Sequence, residues 1–306
     1  MNTLAMLLEQ YMRKFPISTK LRYGYQMLQS GPLGETDPRE WKLATLMDYG
    51  RARKANQVPT RVPDKRRAVL HPSTVAGDFT HLAVVLTWAT DEVDETLASV
   101  LPVLTTARRK LKKEKVVAKA GRRTRRPTPE ELKMLLAHFA AQNSHHRTEI
   151  DMTVVTESSY ELGRRIGELV SIRRKHVDLE KRTYVCYQSK QRVWHEFVLF
   201  GRGLEIIRER LAAIPQDPDA LLFPWNSKSC SQRYIDAKKK LGITDLRLHD
   251  NRRECFSRCF AKGLTVPQVQ HGVSGHLGDA KTLLAVYTQV SSAEVHAAIR
   301  ELEERA

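Results

Sequence analysis

Apolar positions in the first part of the chain repeat with the period of an α-helix. The two clearest stripes are Leu4, Leu7, Leu8 and Tyr11, and Val75, Phe79, Leu82, Val85, Leu86 and Ala89. Asp37-Pro38 has the order of a capping residue and a first-turn proline, which predicts a helix from there through Leu46. Ser73 is predicted to cap the helix with the longer stripe. The N-terminal region is therefore predicted to be helical.

The pattern changes in the second half of the chain. Residues 183–188 alternate in part and residues 193–200 are rich in β-formers, so both predict strands. The polar residues 189–192 between them suit a hairpin turn. Helices are predicted at 203–214, 231–241 and 250–262. The predicted fold is mainly α with a small β-sheet: a helical domain followed by a mixed α+β domain.

A dense basic segment separates the two patterns. Glu114 is its only acid between residues 108 and 126. Thr128 and Glu131 have the spacing of a capping box, which predicts that a helix begins directly after this segment. These features predict a helical domain over residues 1–115, a basic linker over 116–127 and a second domain over 128–306.

The charge of the whole chain points to a polyanionic partner. It has 51 lysines and arginines against 35 acids, a formal charge of +16. Nucleic acid is the commonest such partner, and an anionic membrane surface is the alternative. Neither an 18-residue apolar run nor a signal-peptide layout occurs, so we expect a cytoplasmic protein. The four cysteines are scattered without a CxxC pair, which favours reduced structural cysteines over a metal site.

The basic segment itself has two interpretations. Most charge runs are solvated helix faces or linkers. Its density, single sign and position between two domains favour contact with a DNA backbone instead. The predicted DNA-binding residues are Arg108, Arg109, Lys110, Lys112, Lys113, Arg122, Arg123, Arg125 and Arg126.

Four segments of the second domain hold residues that could carry chemistry. They are residues 163–169, 189–191, 248–254, and 274–276 followed by 285–288. Singly, each has an ordinary explanation. His249 and Arg252 could form a polar stripe on one helix face, and a tyrosine such as Tyr287 is more often a core residue. Taken together, the segments follow the order arginine, lysine, His-x-x-Arg, Gly-His, tyrosine, and this order favours a shared function over the separate explanations.

In that order the segments resemble the tyrosine recombinases, also called phage integrases. Residues 163–169 are similar to the family's first arginine box, 249–253 surround its His-x-x-Arg box, and 287–288 are similar to its nucleophile segment. Residues 222–224, Leu-Phe-Pro, are also typical. The resemblance covers the whole second domain, and the helical N-terminal region suits the family's core-binding domain.

The chain departs from the family pattern at three points. Asn251 stands where leucine is usual, and Gly167 stands where serine is common. The interval from His276 to Tyr287 is about two residues longer than usual. The register between His249 and the family's second arginine is unaffected, because Arg252 keeps its place.

The resemblance implies transesterification at a DNA phosphodiester. Tyr287 would attack phosphorus and form a 3′-phosphotyrosine, while arginine forks stabilise the non-bridging oxygens. His249 and His276 would add hydrogen-bond donors to the phosphate. His249 would also help to remove the tyrosine proton, and Lys190 would protonate the departing 5′-oxygen. The implied catalytic residues are Arg165, Lys190, His249, Arg252, His276 and Tyr287, with Glu168 behind them. No metal or other cofactor is expected.

The implied function is site-specific recombination, for integration or excision of a mobile element. The partners would be double-stranded DNA attachment sites, three further copies in a homotetramer on synapsed DNA, and a directionality factor or DNA-bending protein, with no membrane. The protein would be associated with the nucleoid. Residues 291–306 would form a tail helix that docks on a neighbouring subunit, and an arm-binding domain is expected to be missing. A catalytically inactive DNA-binding regulator and a type IB topoisomerase-like enzyme are the alternatives.

Overall fold

The computed structural model divides the chain into two compact units, Met1–Gly121 and Arg122–Ala306. It describes residues 2–58, 69–121, 123–143, 149–189, 191–275 and 300. The division falls inside the predicted linker. Val116 and Val117, at the start of that linker, are buried in the core of the first unit. Packing therefore assigns the first linker residues to the N-terminal unit.

The described part of the first unit is helical, as the sequence predicted. Its α-helices are α1 (Leu4–Lys14), α2 (Thr19–Gln29), α3 (Leu43–Lys54), α4 (Pro72–Glu92) and α5 (Val100–Lys113), with 3-10 turns at Pro38–Glu40 and Glu95–Ser99. Both predicted apolar stripes face the core: Leu4, Leu7 and Leu8 of α1 are fully buried, as are all six residues of the stripe on α4.

Two details of the N-terminal prediction are wrong. Asp37 caps only the 3-10 turn, and the chain becomes extended at Trp41 before α3 begins. The cause is tertiary, because the Trp41 ring is buried and its Nε1 donates to Thr36 Oγ1 at 2.8 Å. Ser73 does not cap α4. The helix begins at Pro72, and the ring of His71 accepts the backbone N–H of Ser73 instead.

The second unit is mixed, and its described residues form seven α-helices and one antiparallel sheet. The helices are α6 (Pro129–Asn143), α7 (Met152–Glu161), α8 (Ile166–Leu169), α9 (Gly201–Ala213), α10 (Ser227–Lys240), α11 (Leu248–Ala261) and α12 (Val266–Gln268). A 3-10 turn covers Arg174–His176, and α12 continues into a π-helix at Val269–Ser274. The predicted capping box opens α6, since the backbone N–H of Glu131 donates to Thr128 Oγ1.

The sheet has the order β1 (Val177–Asp178), β2 (Thr183–Gln188) and β3 (Val193–Val198), which confirms the predicted hairpin. Tyr184 of β2 faces Phe197 of β3, and both rings are buried. The fold is therefore mainly α with a small sheet, as predicted. Leu169 of α8 belongs to the same core as these two rings, while α11 and the π-helix pack on each other in a separate cluster. The candidate chemistry lies at the starts of α8 and α11 and just after the π-helix.

Candidate functional site

The first predicted arginine lies at the start of α8. Gly163 precedes it in a left-handed conformation with φ of 61°, and a Cβ there would come within 2.9 Å of Cys255 Sγ. Only glycine fits this tight turn without displacing α11. Arg165 is the N-cap residue of α8, and its partly exposed guanidinium contacts the carboxylate of Glu168. Glu168 Oε2 also accepts the backbone N–H of Arg165 at 3.2 Å.

Arg252 connects three of the segments that the sequence singled out. It lies in the first turns of α11 and is buried. Its Nη1 donates to Gly163 O at 2.6 Å, and its Nη2 donates to Ser274 O at 3.0 Å. The guanidinium also lies over the ring of Phe256, 4.6 Å from the centroid. The orientation of this cation is thus fixed by backbone acceptors from two distant segments.

Glu168 lies between the two arginines. Its Oε2 is 3.8 Å from Arg252 Nη1, and its side chain is almost fully buried. Burial alone would raise the pKa of Glu168. The positive charges of Arg252 and Arg165 outweigh burial and hold this pKa below its ordinary value. Glu168 is therefore a carboxylate that contacts Arg165 and lies within 3.8 Å of Arg252.

His249 begins the same helix, one turn before Arg252. His249 is exposed at the surface, but the protein atoms packed around the imidazole still displace part of its surrounding water. This desolvation, together with the positive charges of Arg252, Arg253 and Arg165, lowers the pKa of His249 to about 4. The ring is therefore neutral at pH 7.

The segment that leads to His276 approaches the hairpin. Gly275 has φ of 62°, and a Cβ there would lie 1.9 Å from Gln188 Nε2 and 2.7 Å from Phe197 Cε1. Glycine is required because the backbone passes directly over β2 and β3. Lys190, His276 and Tyr287 lie outside the described residues, as does the predicted tail helix over 291–306 apart from residue 300.

The departure at Asn251 has a local explanation. Its side chain is fully buried, and its Nδ2 donates to Ser159 Oγ at 2.8 Å. It also donates to Thr156 O at 3.5 Å, and Tyr234 OH donates to its Oδ1 at 3.5 Å. A polar residue is accommodated here because α7 presents polar groups to it.

Comparison with known proteins identifies the family. Residues 125–294 match the sequence profile of the phage integrase family, which is more than half of the chain. The chain belongs to the phage integrase family. A shufflon-specific DNA recombinase of Escherichia coli is 27% identical over 155 residues, which cover 50% of this chain and 38% of that recombinase. The match thus spans well under half of that relative's length.

Solved integrase structures share the fold. One substituted form of the Tn1549 transposon integrase, in complex with transposon right end DNA, superimposes with a TM-score of 0.68 at 13% identity, covering 98% of this chain and 99% of that one. Another, in complex with a circular intermediate DNA, gives a TM-score of 0.67 at 14% identity, covering 99% and 100%. The similarity extends over both units of this phage integrase family member.

The predicted DNA-binding residues divide into two groups in this family member. Those from Arg108 to Lys113 are exposed near the C-terminal end of α5. Glu114, the acid of this segment, pairs with Arg51 at 2.9 Å. Arg108, Arg109 and Lys112 line a cavity of about 310 Å³ on the first unit. This end of α5 is therefore a basic surface, while Arg122 lies outside the described residues.

The remaining arginines of the segment have acidic partners within the second unit. Arg123 binds both oxygens of Asp250 and also Asp245. Arg125 contacts Glu131, and Arg126 lies 3.6 Å from Glu254. The structure thus directs three of the predicted DNA-binding side chains toward the protein. The sequence prediction missed these pairings because the acids lie in segments remote from the charge run.

Metal sites and membrane spans are absent from the part of the chain that the structure describes. Among these residues, no group of three or more histidine, cysteine or acidic side chains could hold a metal ion. No helix in this part of the chain is long and apolar enough to cross a membrane. All four cysteines are buried and free of disulfides.

Proposed function

We propose that this chain is a site-specific DNA recombinase that cleaves and rejoins strands through a 3′-phosphotyrosine at Tyr287. One observation carries the proposal: Arg165 and Arg252 flank the buried carboxylate of Glu168, and the charges of both arginines act on His249. Planar guanidinium forks suit paired hydrogen bonds to phosphate oxygens. Donors fixed in advance stabilise the charge that develops in a transition state without reorganisation.

Each step keeps the number of phosphoester bonds constant. The Tyr287 hydroxyl attacks phosphorus, the bond to the 5′-oxygen breaks, and Lys190 gives that oxygen a proton. A 5′-hydroxyl of a partner strand then attacks the phosphotyrosine and releases Tyr287. Because the covalent intermediate conserves the bond energy, the reaction needs no nucleotide.

The proton of Tyr287 must be removed, since a free tyrosine has a pKa of about 10. His249 is neutral at pH 7, but a pKa of about 4 makes the free ring a weak base. A bound phosphodiester would offset the arginine charges that lower this pKa, and would so raise it toward the range in which an imidazole takes up a proton. His276 would add a donor to the phosphate. The two arginines would supply the charge stabilisation that metal ions provide in many nucleases.

The substrate we propose is double-stranded DNA containing attachment sites. The supporting observations are the basic surface at the end of α5 and the charge of +16, with the likeness to integrases solved on DNA as analogy. In this proposal the N-terminal unit binds the core site and the second unit catalyses. Four copies would assemble on synapsed DNA, with residues 291–306 docking on a neighbouring subunit. Integration or excision of a mobile element is the task we infer.

The direct experiment compares wild type with Tyr287→Phe. The DNA is a duplex recovered from a random-sequence pool by its binding to the full chain. We expect wild type to form a protein–DNA adduct that survives boiling in detergent and excess EDTA. The variant should bind the duplex equally well and form no adduct. An adduct formed by Tyr287→Phe would overturn the assignment of the nucleophile, and binding without any wild-type adduct would favour the inactive regulator.

A further inference from the structure

Arg164, beside the first catalytic arginine, is an unusual buried cation. Its side chain is only 2% exposed. The Nε donates to Leu162 O at 3.1 Å, and the guanidinium carbon lies 3.7 Å from the centre of the Phe197 ring. Its Nη1 and Nη2 are buried and, among the described residues, have no hydrogen-bond partner. Arginine stays protonated in proteins, so a full positive charge is buried here with unmatched donors.

The nearby carboxylate does not neutralise Arg164. Glu168 feels the charge of Arg164, but it contacts Arg165 and lies 3.8 Å from Arg252. Three guanidinium groups thus surround one carboxylate in this part of the structure. An excess of positive charge remains, and the Phe197 stack compensates only a part of the lost hydration.

Such an arrangement opposes folding. A buried charge without a matched partner is costly, and apolar residues of similar volume are often neutral or stabilising in its place. Residues that break local rules in this way concentrate at functional sites. A phosphodiester would bring the missing negative charge, and more charge develops on its oxygens during cleavage. Burial shields the interaction from water and salt.

We propose that Arg164 acts as a buried source of positive potential beneath the scissile phosphate held by Arg165 and Arg252. It is a positioning residue that does not touch the DNA and strengthens phosphate stabilisation through its field. This inference rests on the proposed recombinase function. If Arg164 has this role, removing its charge should lower activity without lowering stability. If Arg164 only packs against its neighbours, the same substitution should lower both.

The test is Arg164→Met, which keeps the length of the side chain and removes its charge. We take the distance between the Arg164 guanidinium and the phosphate as roughly 8–10 Å and the effective dielectric constant as about 20. The attraction between Arg164 and one unit of negative charge that develops on the phosphate then corresponds to roughly a 15- to 30-fold change in rate. We expect adduct formation on the selected duplex to slow by about that factor under saturating DNA. The denaturation midpoint should stay the same or rise. The rate defect should persist when salt is raised.

Two variants separate the charge from other effects. Arg208→Met removes one charge from an exposed position on α9 and should leave the adduct rate unchanged within about twofold. Phe197→Leu removes the stacked ring but keeps the charge, so it should lower stability more than rate. If Arg164→Met does not fold, Arg164→Lys and Arg164→Gln are compared, and lysine should retain the faster rate.

The outcomes are distinct. An unchanged rate in Arg164→Met, or equal losses of rate and stability matched by Phe197→Leu, would overturn the role of Arg164. Equal rates for Arg164→Lys and Arg164→Gln would do the same. Failure of wild type to form any adduct would instead count against the recombinase function itself.

Discussion

Arg123 binds both carboxylate oxygens of Asp250, with its Nε 3.0 and 3.1 Å from Oδ1 and Oδ2 and its Nη2 2.7 Å from Oδ2. Asp250 is fully buried, and its Oδ2 also accepts the backbone N–H of Arg247 at 2.9 Å. The pair ties the chain entering the second unit to the first turn of α11. That turn carries His249 and leads directly to Arg252.

The first prediction concerns this pair. Arg123→Gln leaves the buried Asp250 carboxylate with only Arg253 as a charged partner, so we expect unfolding to become easier by about 3 kcal/mol. Arg126→Gln is the matched control, since its contact with Glu254 is longer and more exposed and should contribute less than about 1 kcal/mol. Urea denaturation of both variants gives the comparison. Equal small losses would show that the Arg123 pair is not a structural anchor.

A second prediction concerns the pH response of His249. Its pKa of about 4 in the folded chain lies below that of an unfolded histidine, so the unfolded state binds more protons between about pH 6.5 and 4. Stability should therefore fall as pH decreases through this window, and His249→Gln should reduce the fall. NMR titration of the ring in DNA-free protein measures the pKa directly. A value near 6.5 would contradict the proposed environment.

DNA binding should move the same pKa upward. A phosphodiester offsets the positive charges of Arg252 and Arg165 that disfavour the imidazolium. We expect the His249 titration in Tyr287→Phe protein to shift to higher pH when the selected duplex is added. An unrelated duplex bound only by charge should shift it less. No shift with either DNA would mean that the phosphate lies away from His249.

The basic end of α5 predicts a salt-dependent contribution to DNA binding. Changing Arg108, Arg109, Lys110, Lys112 and Lys113 to alanine should weaken binding to specific and unrelated duplexes alike. The slope of log affinity against log salt should flatten by about 0.9 for each phosphate that the variant no longer neutralises. Alanine preserves helix propensity, so the helix should remain. The control is Arg125→Ala with Arg126→Ala, whose side chains face Glu131 and Glu254 and should change the slope little.

Asn251 offers a test of the buried polar network. Asn251→Leu restores the residue usual in the family but leaves Ser159 Oγ without its 2.8 Å donor. We expect a loss of about 1–3 kcal/mol in the free energy of unfolding. In a Ser159→Ala background the same change should cost less, because the unmatched hydroxyl is gone. An Asn251→Leu variant as stable as wild type would show that the network is dispensable.

The sequence by itself determined the elements and the order of the chemistry. The apolar stripe on α4, the capping box at Thr128 and the β-rich runs on either side of the hairpin turn depend on neighbours within a few residues. They could therefore be predicted from the spacing of residues along the chain alone. The mainly α fold with a small sheet followed from these local patterns, whereas the family was indicated by the resemblance of the motifs to those of the tyrosine recombinases.

Only the tertiary structure decided which charges face the protein. Arg123 lies in a run of like charges, yet its partner Asp250 is 127 residues away in sequence. Arg164 and Arg165 are adjacent, but one is buried against Phe197 and the other remains partly exposed. The interruption of the predicted helix at Trp41 likewise depends on tertiary packing, because the Trp41 ring is buried in the core. Burial and long-range pairing are set by segments that meet only on folding, and no periodicity along the chain encodes them.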